Sequence, residues 1–195
     1  MLYISYATKD EYEKVLNTYL YPSLKKYNLP NLVRLILPFK SWKEATNYKS
    51  KFILEVLLQE KRDIVFVDAD AEILEYPKLF DVLSPAYDMA LHWLDWKIQY
   101  NKDRSEKELL SGTLMIRYNT KTIYVLNQWI EEIEKNPVLW EQKHLERIVK
   151  KGTTLNIFNL PIAYCCIKRK DETYPCERPV ILHNQVSRYL KRRQK

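Results

Sequence analysis

The sequence predicts an α/β fold: a mostly parallel sheet flanked by helices on both faces, in a single domain over residues 1–195. Three observations predict it. Strand-like and helix-like segments alternate through the first two-thirds of the chain, the pattern of a largely parallel sheet. One segment, Asp63-Ile64-Val65-Phe66-Val67-Asp68-Ala69-Asp70, is a continuous apolar run that ends in two carboxylates, as expected for a strand buried on both faces. And 195 residues with no low-complexity tract, repeat or long polar linker suit one sizeable core.

The elements follow in order. Leu2 to Tyr6 reads as a first strand ending in Ala7-Thr8. Lys9 to Leu20 reads as a helix, with Thr8 as N-cap and Glu11 at capping-box spacing. Pro22 and Pro30 punctuate the next stretch, and Leu32 to Leu37 is a second strand closed by Pro38. A long helix spans Ser41 to Glu60, with Ala45, Tyr48, Phe52, Ile53 and Val56 on one stripe. Lys49 falls in the middle of that stripe, so it must either snorkel out or meet an anion. The Asp63–Asp70 segment comes next. A short helix over Pro77–Leu83 and a strand over Met89–Trp93 follow. Leu94 to Glu108 is polar and reads as a mobile loop over a site. Ser111-Gly112-Thr113 leads into the strand Leu114–Tyr118. Gly112 is one of only two glycines, and at a strand entrance it marks a tight turn or a close approach of the backbone. Thr120–Lys135 and Trp140–Lys150 are helices, the second ended by Gly152. Leu155–Phe158, Pro161–Ile167 and Val180–Leu182 read as short strands. His183 follows the last of them, and a basic helix over Gln185–Arg192 closes the chain.

Asp68 and Asp70 cannot sit inside a buried sheet, so they mark the carboxyl end of their strand, the edge where open α/β sheets bind ligands. Residues i and i+2 of a strand point the same way, roughly 6.5 Å apart. Two carboxylates so placed suit a hard divalent cation with positions open to phosphate oxygens.

Composition narrows the function. The formal charge of +7 fits an anionic partner such as a nucleotide, or a basic surface with the solvated tail Lys191–Lys195. The cations are spread along the chain without a nucleic-acid-binding pattern, so no nucleic acid is expected. No signal peptide and no stretch of 18 apolar residues is visible, so membrane contact is at most peripheral. The three cysteines, Cys165, Cys166 and Cys176, have no paired metal spacing and fit a reduced, cytoplasmic protein.

Taken together, the segments resemble the small nucleotide-sugar-dependent glycosyltransferases of GT-A fold. Phe66-Val67-Asp68-Ala69-Asp70 resembles their DXD motif, which holds a divalent metal and the ribose–diphosphate of the donor. Leu110-Ser111-Gly112-Thr113-Leu114-Met115-Ile116 resembles the segment lining the donor sugar. Trp140-Glu141-Gln142 resembles the Asp-Gln pair facing the reacting sugar, with Glu in place of Asp. Ile181-Leu182-His183 resembles the late histidine that completes the metal site. Tyr6-Ala7-Thr8 stands where the base usually lies.

The resemblance implies transfer of a sugar from a nucleoside diphosphate, UDP before GDP, to a carbohydrate, glycoprotein or lipid-linked acceptor. It implies Mn²⁺ or Mg²⁺ on Asp68, Asp70 and His183; the alternative for His183, a hydrogen-bonded core residue, ranks behind the ligand reading because of the DXD-like strand. Lys49 and Arg188 are the candidates for the phosphates, and Tyr6 for stacking on the base. Glu141 and Asp95 are candidate bases for an inverting reaction. Gln142 or Glu141 would stabilise charge in a retaining one, towards which the segments lean. A haloacid-dehalogenase-type phosphatase also ends a strand in Asp-X-Asp. Its following Ser or Thr is missing here, where Ala71-Glu72-Ile73 stands instead. A sugar-nucleotide-binding or nucleic-acid-binding domain without turnover is the non-enzymatic alternative.

Overall fold

The computed structural model describes residues 1–188 and 190; the basic tail, Lys191–Lys195, lies outside them. A six-stranded sheet has the order β2-β1-β3-β6-β5-β7. Its strands are β1 (Leu2–Thr8), β2 (Asn31–Ile36), β3 (Ile64–Val67), β5 (Met89–Leu94), β6 (Glu108–Ile116) and β7 (Ile157–Asn159). All run parallel except β6, which is antiparallel to both β3 and β5. A second sheet of three short strands has the order β4-β9-β8: β4 (Ala71–Ile73), β9 (Ile181–His183) and β8 (Cys166–Ile167).

The strand β3 shows why its sequence is continuously apolar. Ile64 and Phe66 point to one face, where α3 (Trp42–Glu60), α6 (Thr120–Lys135) and α7 (Glu141–Lys151) supply Phe52, Val56, Trp129 and Leu145. Val65 and Val67 point to the other, where α1 (Glu11–Thr18) and α2 (Leu20–Lys26) supply Leu16, Leu20 and Leu24 beside Ile73 and Phe80. Both faces of a period-two strand are covered, so every position must be apolar. Phe80 belongs to α4 (Leu79–Val82). Among the described residues no helix is long and apolar enough to cross a membrane.

Four local expectations need correction. The helix expected over Lys9–Leu20 is two helices, broken at Tyr19. Thr8 remains in β1, and Asp10 is the N-cap, accepting from the Tyr12 amide. The polar stretch Leu94–Glu108 is not all loop: it contains α5 (Trp96–Tyr100), whose N-terminus Asp95 caps through the amides of Lys97 and Ile98. Gly112 lies inside β6, which begins at Glu108, not at a strand entrance. Of the expected strand Pro161–Ile167, residues Ile162–Cys165 form a 3₁₀ turn and only Cys166–Ile167 are extended. The expected helix Gln185–Arg192 lies partly outside the described residues; within them, the amides of Arg188 and Leu190 close helical turns onto Gln185 and Val186.

Cys166 and Cys176 approach to 3.5 Å between sulfurs, across a turn that separates them by ten residues. All three thiols are free.

Candidate active site

The carboxyl end of β3 opens into a cleft of about 360 Å³. The chain turns there, with the Ala71 amide donating to the Asp68 carbonyl. Asp68 and Asp70 lie beyond the last buried strand residue, where a charged group no longer pays for full burial. His183 arrives from β9, which pairs with β4 so that His183 faces Ala71 across the ladder. One ligand atom from each of Asp68, Asp70 and His183 falls within 4.8 Å of the others.

Each of the three groups is fixed through one atom. The Asp68 Oδ1 is 2.9 Å from Lys49 Nζ. The Asp70 Oδ2 accepts from the Val186 amide at 3.0 Å, while Oδ1 is 3.9 Å from His183 Nδ1. His183 Nε2 lies 2.9 Å from the Thr113 hydroxyl. That leaves Asp68 Oδ2, Asp70 Oδ1 and His183 Nδ1 turned towards a common space. Gly112 forms its floor. A Cβ there would lie 2.7 Å from His183 Cε1, 3.0 Å from Nδ1 and 3.1 Å from Asp68 Oδ2. The close approach expected of this glycine is therefore to the cation-site residues themselves.

Lys49 meets anions, as its place in the apolar stripe allowed. Its ammonium is 2.9 Å from Asp68 Oδ1 and 2.9 Å from Glu141 Oε1, and it donates to the Ser111 hydroxyl at 3.1 Å. Phe66 lies beneath it at 5.1 Å. Burial alone would lower its pKa, but Asp68 and Glu141 outweigh that and raise it. The ammonium's donors are thus taken by protein groups, and Lys49 braces Asp68 from the wall of the cleft. Glu141, also buried, accepts from Ser111 Oγ at 2.8 Å, and its carbonyl accepts from the Trp129 indole at 2.7 Å. Gln142 is held between the Ser111 amide and Glu108.

Desolvation raises the pKa of Asp68; Lys49 opposes it and Asp70 adds to it. Burial would lower the His183 pKa, but Cys165, Asp70 and Asp68 beside it raise it to about 10. Two carboxylates and an imidazole with ligand atoms this close could hold a metal ion.

Of the residues expected at the site, Tyr6, Ala7, Thr8, Lys49, Asp68, Ala69, Asp70, Ser111, Glu141, Gln142 and Arg188 all line the cleft. Asp95 does not; its carboxylate caps α5. Tyr6 shows the cleft only part of its ring. Its hydroxyl donates to the Ala45 carbonyl at 2.6 Å and the ring packs among Tyr48, Phe52 and Phe66. Trp140, quoted above with Glu141 and Gln142, also lines the cleft, as do Tyr12 and Trp42, which sequence reasoning missed. Tyr12 and Trp42 hydrogen-bond to each other through their side chains. Helical spacing alone could not assign them to a site rather than to the core.

A family model for nucleotide-diphospho-sugar transferases matches residues 39–195. No curated protein matches the sequence. Solved structures share the fold at low identity. A glycosyltransferase involved in the glycosylation of the major capsid of PBCV-1 superposes with a TM-score of 0.72 at 12% identity, covering 99% of this chain and 97% of that one. Mouse xyloside xylosyltransferase 1 gives 0.59 at 10%, covering 95% and 97%. The glycosyltransferase GlyE of Streptococcus pneumoniae TIGR4 gives 0.60 at 11%, covering 93% of this chain and 54% of that one. With its mostly parallel sheet and the family match over most of its length, the chain belongs to the nucleotide-diphospho-sugar transferases, glycosyltransferases of GT-A fold.

Proposed function

We propose that this glycosyltransferase uses a divalent cation on Asp68, Asp70 and His183 to transfer a sugar from UDP to a hydroxyl of a carbohydrate, glycoprotein or lipid-linked acceptor, with retention. The observation that carries the reading is the donor set: three groups, each tied through one atom and presenting another to the same space beside the cleft. In the tautomer whose Nε2–H donates to Thr113, loss of the second proton gives His183 an Nδ1 lone pair for a metal. Two carboxylate oxygens and an imidazole suit Mn²⁺, and Mg²⁺ less well. When bound, such an ion neutralises the diphosphate as its bond to the sugar breaks.

The other residues position the donor. Ala7, Thr8, Tyr12 and Trp42 line the end of the cleft that the resemblance gives to the base. Arg188 adds positive charge for the phosphates, and its guanidinium is steadied by the Tyr100 hydroxyl at 2.9 Å. Ser111 and Gln142 border the sugar.

The carboxylates that line the cleft are Asp68, Asp70 and Glu141. The first two form the cation site, and Glu141 Oε1 is engaged by both Lys49 and Ser111. The base is then a diphosphate oxygen of the donor. The acceptor oxygen bonds to C1 on the face that the diphosphate leaves, the C1–phosphate oxygen bond breaks, and the acceptor proton passes to the diphosphate. Attack on that face retains configuration.

Isothermal titration of UDP and GDP, with and without Mn²⁺, on wild type and Asp70→Asn tests the reading. Mn²⁺-dependent binding of UDP, lost in the variant, is expected. No nucleotide binding under any condition would overturn it, and an inverted product anomer by NMR would overturn the retaining route.

A further inference from the structure

A second groove, of about 640 Å³, lies on the other side of Arg188 from the donor cleft. Trp96 and Tyr100 of α5 form one wall, their rings 5.4 Å apart. Lys102, Arg169, Lys170 and Arg188 line the remainder, against a single carboxylate, Asp171.

The groove stands at the same sheet edge as the donor site. Both β3 and β5 run antiparallel to β6, so α5, which follows the end of β5, shares that edge with Asp68. Residues 168–171 follow β8, whose Ile167 pairs with His183. The Lys168 amide also donates to the His183 carbonyl. Three segments around the groove therefore each spring from a strand end beside the cation site.

Its walls are bolted together. Gln99, only 1% exposed, donates to the Ile167 carbonyl at 3.0 Å. Arg169 donates from Nε to the Gln99 carbonyl and from one terminal nitrogen to the Ile98 carbonyl, both at 2.7 Å. Asp171 accepts from the Thr173 amide and hydroxyl. Lys102 and Lys170 make no ion pair among the described residues. Arg104 stacks over Trp96 at 4.4 Å and adds charge at the mouth. A groove with an aromatic wall, an excess of cations and a shared boundary with a sugar donor site fits a sugar ring that carries negative charge.

We infer that this groove is the acceptor site and that the acceptor is an acidic saccharide, bearing a carboxylate or a phosphate. Its ring lies against Trp96 and Tyr100, and its charge meets Lys102 and Lys170, with Arg188 between acceptor and donor diphosphate. The inference rests on the donor site proposed above.

Saturation-transfer NMR tests it without requiring turnover. The probes are methyl β-glucuronide and methyl β-glucoside 6-phosphate, with methyl β-glucoside as the neutral control. Both charged probes are expected to bind about tenfold more tightly than the control, and Lys102→Gln with Lys170→Gln is expected to remove that preference. Trp96→Ala should weaken all three. The same variants should bind UDP as the wild type does. Equal binding of charged and neutral probes would overturn the inference, as would a preference that survives the double substitution. Inorganic phosphate binding as tightly as the sugar phosphate would reduce the groove to an anion site and overturn the saccharide assignment. Failure of UDP to bind the wild type would count against the donor site, while the saccharide probes still judge the groove.

Discussion

Gly112→Ala isolates the cation site from everything else in the cleft. The added methyl would lie 2.7 Å from His183 Cε1, 3.0 Å from Nδ1 and 3.1 Å from Asp68 Oδ2. Ordinary contact begins near 3.4 Å, so the imidazole must retreat by about 0.7 Å, measured on the shortest of these distances. Neither neighbour can give freely. His183 is held by Thr113 at Nε2, and Asp68 by Lys49 at Oδ1. Metal sites tolerate ligand displacements of only about 0.2 Å. Mn²⁺ affinity should therefore fall by about 10- to 100-fold, while overpacking costs about 1–3 kcal/mol of metal-free stability. Titration calorimetry with Mn²⁺ reads the first and thermal unfolding in EDTA the second. The diagnostic step is the double variant Gly112→Ala/His183→Ala. Removing the ring removes the two shortest contacts and leaves only the one to Asp68 Oδ2, so the double variant should lose little stability beyond that of His183→Ala alone, and the two costs should not add. Gly152→Ala is the control. Its φ of +102° strains any side chain, but nothing lies within 4 Å of the added Cβ, so it should lose stability and keep Mn²⁺ affinity. Unchanged Mn²⁺ affinity in Gly112→Ala, or additive costs in the double variant, would refute the reasoning.

Lys49→Met should destabilise the fold by about 3–5 kcal/mol in chemical denaturation, because it strips Asp68 and Glu141 of their shared buried cation; a loss under 1 kcal/mol would show that the carboxylates re-solvate. The pH dependence follows from His183, whose pKa is raised to about 10. Folding favours the protonated ring in the metal-free protein, so that contribution is complete below about pH 6.5 and is lost as pH rises towards 10. Mn²⁺ must displace this proton, so its affinity should climb about tenfold per pH unit over the same range; titrations at pH 6.5, 7.5 and 8.5 would show it, and a flat profile would exclude proton competition at His183. Cys166 and Cys176, 3.5 Å apart, should join on treatment with a small-molecule disulfide, giving an intramolecular bond found by peptide mass mapping and leaving Cys165 as the free thiol.

What the sequence shows and what it hides divides along physical lines. The Asp63–Asp70 segment is legible because burial on both faces and a charged terminus are local properties of eight consecutive residues. Lys49 is legible because a helix stripe exposes a misplaced charge, although its partners, Asp68 and Glu141, lie on elements that the stripe says nothing about. Gly112 announces a close approach without saying to what. The direction of β6 is hidden, since a strand reads the same in either orientation. The helix α5 is hidden because a single turn in a polar stretch has too little periodicity to register. Arg169, 70 residues away, holds it from outside, and its own Gln99 ties it to the Ile167 carbonyl. Tyr19 and Asp10 show the limit of capping rules: Thr8 satisfies the spacing, but pairing with β2 keeps it in the strand.

The strand β9 is three residues long, yet both other strands of the small sheet pair only with it. It delivers the imidazole, and the next residue, Asn184, clamps the Asp70 carbonyl through its amide and side chain. A nascent chain can therefore complete the six-stranded sheet, whose last strand ends at Asn159, before it owns a cation site at all. Translation stalled between residues 160 and 180 would leave a scaffold in which Asp68 has Lys49 but Asp70 lacks the imidazole and the Val186 amide, and the site is completed by the insertion of one short strand over a gap of 114 residues from Asp70. Contacts this far apart in sequence form slowly, so catalytic competence should lag behind compaction as the protein is made.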